Sequence, residues 1–157
     1  MQHTCADILS PNPILLHPKT TLLEALNTIR HAGVRYLPVV DEHNEFKGIF
    51  SSLTLLTLLL PSTMSINMGT PLVDLNFMTT NLEELREQLS HCQHEPVSNH
   101  LTSKLSTLTP QSTIMEAIHL LYDKHAHVVV LQPNSQQFVG IITISTLLSV
   151  IQSTPEA

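Results

Sequence analysis

Two short runs decide the fold: Val34-Arg35-Tyr36-Leu37-Pro38-Val39-Val40-Asp41 and, after a polar turn, Phe46-Lys47-Gly48-Ile49-Phe50-Ser51. Each is apolar and β-prone, and Asp41 to Glu45 between them is rich in turn formers, so together they read as two strands of a hairpin. Working outward, Pro18 and then Thr21-x-x-Glu24 precede the first strand. That spacing is a capping box, in which hydroxyl and carboxylate satisfy orphan N–H groups at a helix start. Leu22, Leu26 and Ile29 follow on one helical face, and Gly33 is a natural stop. Beyond Ser51 a Ser/Thr-rich junction leads into a second apolar helix, Leu53 to Leu60.

The same unit recurs. Setting Gly140 on Gly48 gives an offset of 92 (140 − 48), and residues 97–152 then align on 5–60 without a gap, with 12 identities in 56 positions. Pro110, Thr113-x-x-Glu116, Phe138, Gly140-Ile141 and Thr146-Leu147-Leu148 all have their counterparts. The second copy predicts a helix bearing Ile114, Ile118 and Leu121, strands Val128 to Leu131 and Phe138 to Ile142 around a turn Pro133 to Gln137, and a helix Ile144 to Ile151. A short extended segment, Ile14 to Leu16 or Leu105 to Leu108, precedes each copy's helix. A hairpin with two helices cannot bury both faces alone, and stacking two copies solves that. The expected organisation is repeat 1 at 5–60, a linker at 61–96 and repeat 2 at 97–152. Within the linker, Asn81 is a plausible cap for a further helix, whose stripe is Leu82, Leu85 and Leu89.

Composition narrows the function classes. The chain has 157 residues, 42% hydrophobic but only 13% charged, with a net charge of −6. Seven basic residues spread along an acidic chain leave no footprint for nucleic acid. Two distant cysteines, Cys5 and Cys92, form no disulfide framework and point to a reducing, cytoplasmic setting. No apolar run approaches the ~20 residues of a membrane span, and no signal peptide is apparent. There is no nucleophile elbow or paired-carboxylate motif, and four glycines do not make a dinucleotide fingerprint, so an enzyme is not expected. His91, Cys92, His94 and His100, with the strand pair His125 and His127, are the candidate metal ligands, but their spacing lacks the regularity of a zinc site.

The duplicated unit, with its Arg35-x-Leu37-Pro38-Val39-Val40-Asp41 strand and its Phe46-Lys47-Gly48-Ile49-Phe50-Ser51 and Phe138-Val139-Gly140-Ile141-Ile142-Thr143 strands, resembles the CBS domain family. The pair resembles a Bateman module. The resemblance implies an α/β (α+β) fold of two pseudo-symmetric repeats, each a small β-sheet flanked by two helices, plus a linker helix. It also implies inter-repeat clefts that often hold adenosine nucleotides; AMP, ADP, ATP and S-adenosylmethionine are the candidate ligands.

Matched position by position, Ser51 and Thr143 would face phosphate, with Arg35 and His127 nearby. Leu15, Tyr36 and Pro38, and Thr107, Val128 and Val130 in the second copy, would line the base pocket. Thr21 and Thr113 would border the cleft. Thr54 and Thr146 stand where nucleotide-binding members carry an Asp that grips the ribose hydroxyls. Helix N-termini with free hydroxyls suit an anion, but a Thr cannot accept from both ribose hydroxyls, which costs roughly 1.5–3 kcal/mol of binding. Three readings therefore stay open: a ligand-sensing regulatory module acting on an effector protein, a ligand-free homodimerisation module built on the apolar second helices, and, more weakly, a metal-responsive module.

Overall fold

The computed structural model describes residues 3–59, 81–102, 105–124 and 127–153. Repeat 1 contains α1 (Leu22–Ala32), β1 (Tyr36–Val40), β2 (Phe46–Ser51) and α2 (Ser52–Leu59). A further helix, α3 (Leu82–Cys92), follows. Repeat 2 contains β3 (Thr107–Leu108), α4 (Ile114–Lys124), β4 (Val128–Leu131), β5 (Phe138–Ile142) and α5 (Ile144–Gln152). The expected end of the second helix at Leu60, the first part (61–80) of the expected linker 61–96 and His125 lie outside the described residues.

The local signals account for the element ends. Thr21 accepts from the Glu24 N–H at 3.2 Å, and Glu24 accepts from the Thr21 N–H. Thr113 and Glu116 repeat the exchange at 3.1 and 2.8 Å. Gly33, at φ 69°, closes α1 in the left-handed conformation that glycine adopts without strain. Asn81 caps α3 through the Glu84 N–H at 2.9 Å. Asn44 and Asn134 take positive φ in the two hairpin turns. The extended segments are shorter than expected: Leu16 makes a single parallel bridge to Val39, and only Thr107–Leu108 forms a strand, parallel to β4.

The two copies are related by a pseudo-twofold axis that runs between their hairpins. Phe46 N–H donates to Gln136 C=O at 2.8 Å, and Phe138 N–H donates to Asn44 C=O at 2.9 Å. Phe46 and Phe138 stack across the axis with centroids 6.3 Å apart. Around them Val40, Ile49, Val129, Leu131 and Ile141 form an inter-repeat core.

Two features depart from a simple side-by-side pair. First, the opening segment of each repeat packs in the other repeat. A 3₁₀ turn, Cys5–Ile8, buries Cys5 and Ile8 against Ala117, Leu121, Val130 and Ile142. A second 3₁₀ turn, Val97–His100, buries Val97 against Leu22, Ala25, Leu37 and Phe50. The backbone ties match: Cys5 N–H to Ser112 C=O at 2.9 Å, and Val97 N–H to Thr20 C=O at 2.8 Å. Both cysteines are free thiols.

Second, the gapless alignment fails at the first hairpin strand. Leu37 pairs with Phe50, whereas Val128 pairs with Ile142. The offset is 92 between the second strands (142 − 50) but 91 between the first (128 − 37). The structural counterpart of Tyr36 is therefore His127, not Val128, and that of Pro38 is Val129, not Val130. The path from the preceding helix to the equivalent strand residue is one residue shorter in repeat 2, Lys124 to Val128 against Ala32 to Leu37, and the following turn is one residue longer, Gln132 to Gln137 against Asp41 to Glu45. A one-residue slip exchanges the faces of a strand, so Val130 lies in the repeat 2 core with no exposure.

Candidate functional site

A cleft of ≈ 900 Å³ opens between the repeats. Repeat 1 contributes Tyr36 from the start of β1, Ile49 and Ser51 from β2, and Leu53, Thr54 and Thr57 from the first turns of α2. The other wall comprises His100, Leu101, Thr102, Leu105 and Ser106, the chain leading into β3, with Leu120 of α4 and His127 and Val128 of β4. Ile49 and Thr102 exchange N–H···O=C bonds of 3.0 Å in both directions, which ties that wall to the cleft floor. Gly48 makes this approach feasible. Its φ is +149°, and a Cβ there would lie 3.0 Å from both Leu101 Cβ and the Thr102 carbonyl oxygen.

The site mixes apolar walls with hydroxyls and rings. Ser51 is the buried polar residue of the described core, and its hydroxyl lies 3.4 Å from that of Thr54. Thr57 Oγ1 donates to the Thr54 carbonyl at 2.6 Å, turning inward on α2. Tyr36 and His127 meet at the cleft with centroids 5.4 Å apart, tilted 58°. His127 Nδ1 is buried and has no hydrogen-bond partner among the described residues. Desolvation holds its imidazole below the usual 6.5, so the ring is neutral near pH 7.

Of the residues expected from sequence, Tyr36, Ser51, Thr54, His127 and Val128 come together at this cleft. Thr107 and Thr113 border an adjoining groove of ≈ 520 Å³ that shares Ser106 and Leu120 with it. Thr143 and Thr146 sit at the pseudo-equivalent junction on α5, where Thr143 caps the helix through the Thr146 N–H at 3.0 Å. Thr21 is a helix cap. Leu15 and Arg35 are exposed and do not line the cleft; the Arg35 carbonyl accepts from the Ser52 N–H at 3.0 Å. Pro38 and Val130 are fully buried and present nothing to a ligand.

Sequence reasoning missed the wall formed by His100, Leu101, Thr102, Leu105 and Ser106. Only the crossing of segments between repeats brings it there. Among the described residues no three of His, Cys, Asp and Glu gather to hold a metal ion. His100 instead lies 3.4 Å from Glu95. No helix of the described residues is long and apolar enough to cross a membrane.

The paired α–β–β–α units, the crossed opening segments and the inter-repeat cleft define a tandem CBS pair, and the CBS domain family model matches residues 5–61 and 76–153. The chain belongs to the CBS domain family, whose members are generally regulatory rather than catalytic. Among solved structures it is similar to CBSX2 of Arabidopsis thaliana, at 19% identity, covering 98% of this chain and 100% of that one with a TM-score of 0.69. A CBSX2 complex with AMP matches at 20% identity and TM-score 0.67, covering 95% of this chain and 96% of that one. An uncharacterized protein of Methanocaldococcus jannaschii is 21% identical over 88% of this chain and 86% of its own length. A 46-residue stretch is 39% identical to an L-aspartate semialdehyde sulfurtransferase of the same organism; it covers 29% of this chain and 9% of that enzyme.

Proposed function

We propose that this CBS pair is a non-catalytic regulatory module that takes an adenosine-type nucleotide in the inter-repeat cleft and passes its occupancy to a partner protein or to its own assembly. The observation that carries this is the cleft itself. Both repeats wall it, Ser51, Thr54, Thr102 and Ser106 line it together with Tyr36 and His127, and its ≈ 900 Å³ suits a ligand of nucleotide size. The AMP complex of CBSX2 supports the ligand class. A ligand bridging both walls shifts the packing of the repeats through its differential affinity for two arrangements. Thr54 in place of the family's Asp makes the expected affinity modest.

Thermal melting with AMP, ADP, ATP and S-adenosylmethionine tests this. A ligand at 100 times its dissociation constant adds roughly 2.7 kcal/mol, so a dose-dependent rise with one of them is expected. Flat melting temperatures at millimolar concentrations of all four would sink the reading.

A second reading, homodimerisation without ligand, has its own observation. α2 and α5 leave Leu53 (60%), Leu56 (57%), Leu148 (51%) and Ile151 (64%) exposed, an apolar surface that invites a partner. Light scattering that finds only monomer at every concentration would rule that out.

A further inference from the structure

The duplication creates two pseudo-equivalent positions for a ligand, and their side chains differ. We infer that ligand enters on one side only: the cleft at Ser51 and Thr54 is the binding site, and its counterpart at Thr143 and Thr146 is not. This rests on the nucleotide reading above and narrows it to one molecule per chain.

Three observations carry it. The first is the state of the junction hydroxyl. Thr143 Oγ1 accepts from the Thr146 N–H and donates to Thr146 Oγ1, both at 3.0 Å. A hydroxyl has one proton to donate, and Thr143 gives its own to Thr146 Oγ1. Ser51 belongs to β2, and among the described residues its only side-chain hydrogen bond is the 3.4 Å one with Thr54 Oγ1, in which either hydroxyl can donate. Its hydrogen-bonding capacity is less committed than that of Thr143.

The second is the opposite wall. Shifting the cleft residues back by 92 positions replaces His100 with Ile8 and Ser106 with Ile14. Ile8 is locked in the repeat 2 core at 1% exposure. At these two positions the counterpart offers neither hydroxyl nor imidazole, while elsewhere it carries Ser145 for Leu53 and Thr28 for Leu120.

The third is His127. Its structural counterpart is Tyr36, and both rings border the Ser51 cleft. Buried polar atoms are nearly always paired, yet His127 Nδ1 has no partner among the described residues. That nitrogen is enclosed, so the ring meets a ligand as part of the cleft lining and not through Nδ1.

Isothermal titration of the full chain with AMP tests the inference, with far-UV melting to verify that each variant folds. One AMP per chain is expected. Ser51→Ala and His127→Phe should each weaken binding by roughly tenfold or more, with Thr57→Val as the replacement if His127→Phe fails to fold. Ser10→Ala and Ser149→Ala, on the counterpart side, should bind as the parent does. Two AMP per chain, or weakening by Ser10→Ala and Ser149→Ala with Ser51→Ala unaffected, would overturn the single-site inference while leaving the nucleotide reading intact. No heat with AMP, ADP, ATP or S-adenosylmethionine would remove both.

Discussion

The two repeats have nearly the same elements, yet their corresponding glycines and junctions are under different constraints. Gly48 meets a rigid neighbour: a Cβ would press on a backbone carbonyl and on Leu101 Cβ, at a φ that L-residues avoid. A Cβ on Gly140 would meet only the flexible end of Leu9, with Cδ2 at 3.3 Å. At the helix starts, Thr143 is spent on capping while Ser51 is not. Repeat 1 thus holds its backbone close to the chain leading into β3 and keeps its junction polar groups less committed. Repeat 2 satisfies its own. Duplication supplies the frame, and local divergence decides which half faces a ligand.

The glycine contrast can be broken most sharply. Gly48→Ala combines backbone strain with a steric clash and should destabilise by roughly 2–4 kcal/mol. Gly140→Ala, with no such φ and a movable neighbour, should stay at about 1 kcal/mol or below. Urea unfolding of the two variants checks this, and equal losses would refute the asymmetry.

The junction contrast is smaller. Thr143→Ala removes a helix cap and should lose about 1 kcal/mol. Ser51→Ala removes none and should change stability by less than about 0.5 kcal/mol. The same unfolding assay decides, and a larger loss from Ser51→Ala would mean that its hydroxyl is structural.

The pH effect is the subtlest. Burial lowers the His127 pKa from 6.5, so at acid pH the unfolded chain binds this proton before the folded one does. Stability then falls as pH drops below 6.5 and levels off below the lowered folded value. His127→Phe should flatten that part of the melting profile. An unchanged slope in the variant would assign the acid sensitivity to other groups; Asp41, whose carboxyl is held low chiefly by the Glu45 N–H, acts only at lower pH, below its usual 3.8.

Much of this was legible in the chain. The capping boxes at Thr21 and Thr113, the Gly33 stop, the Asn81 cap and all four hairpin strands follow from short-range chemistry, which residues three or four apart settle among themselves. The resemblance to the CBS family pointed to the junction residues Ser51 and Thr54, which the structure brings to the cleft. What misled was the gapless match. One residue lost before β4 and one gained in the next turn cancel, so the offset returns to 92 at Phe138 and the slip leaves no trace in the count. Val128, Val129 and Val130 are interchangeable in type, and nothing in their sequence tells which faces the core.

The sequence by itself determined that the protein is a duplicated α–β–β–α unit with no membrane-length apolar run, because capping, turn formation and hydrophobic periodicity are properties of neighbouring residues. Only the tertiary structure decided that Cys5 and Val97 exchange places between repeats, that His127 stands opposite Tyr36, and that His100, Leu101, Thr102, Leu105 and Ser106 wall the cleft. Those outcomes depend on strand pairing and on contacts between segments far apart in the chain, where a single residue of register changes which side chain faces the ligand.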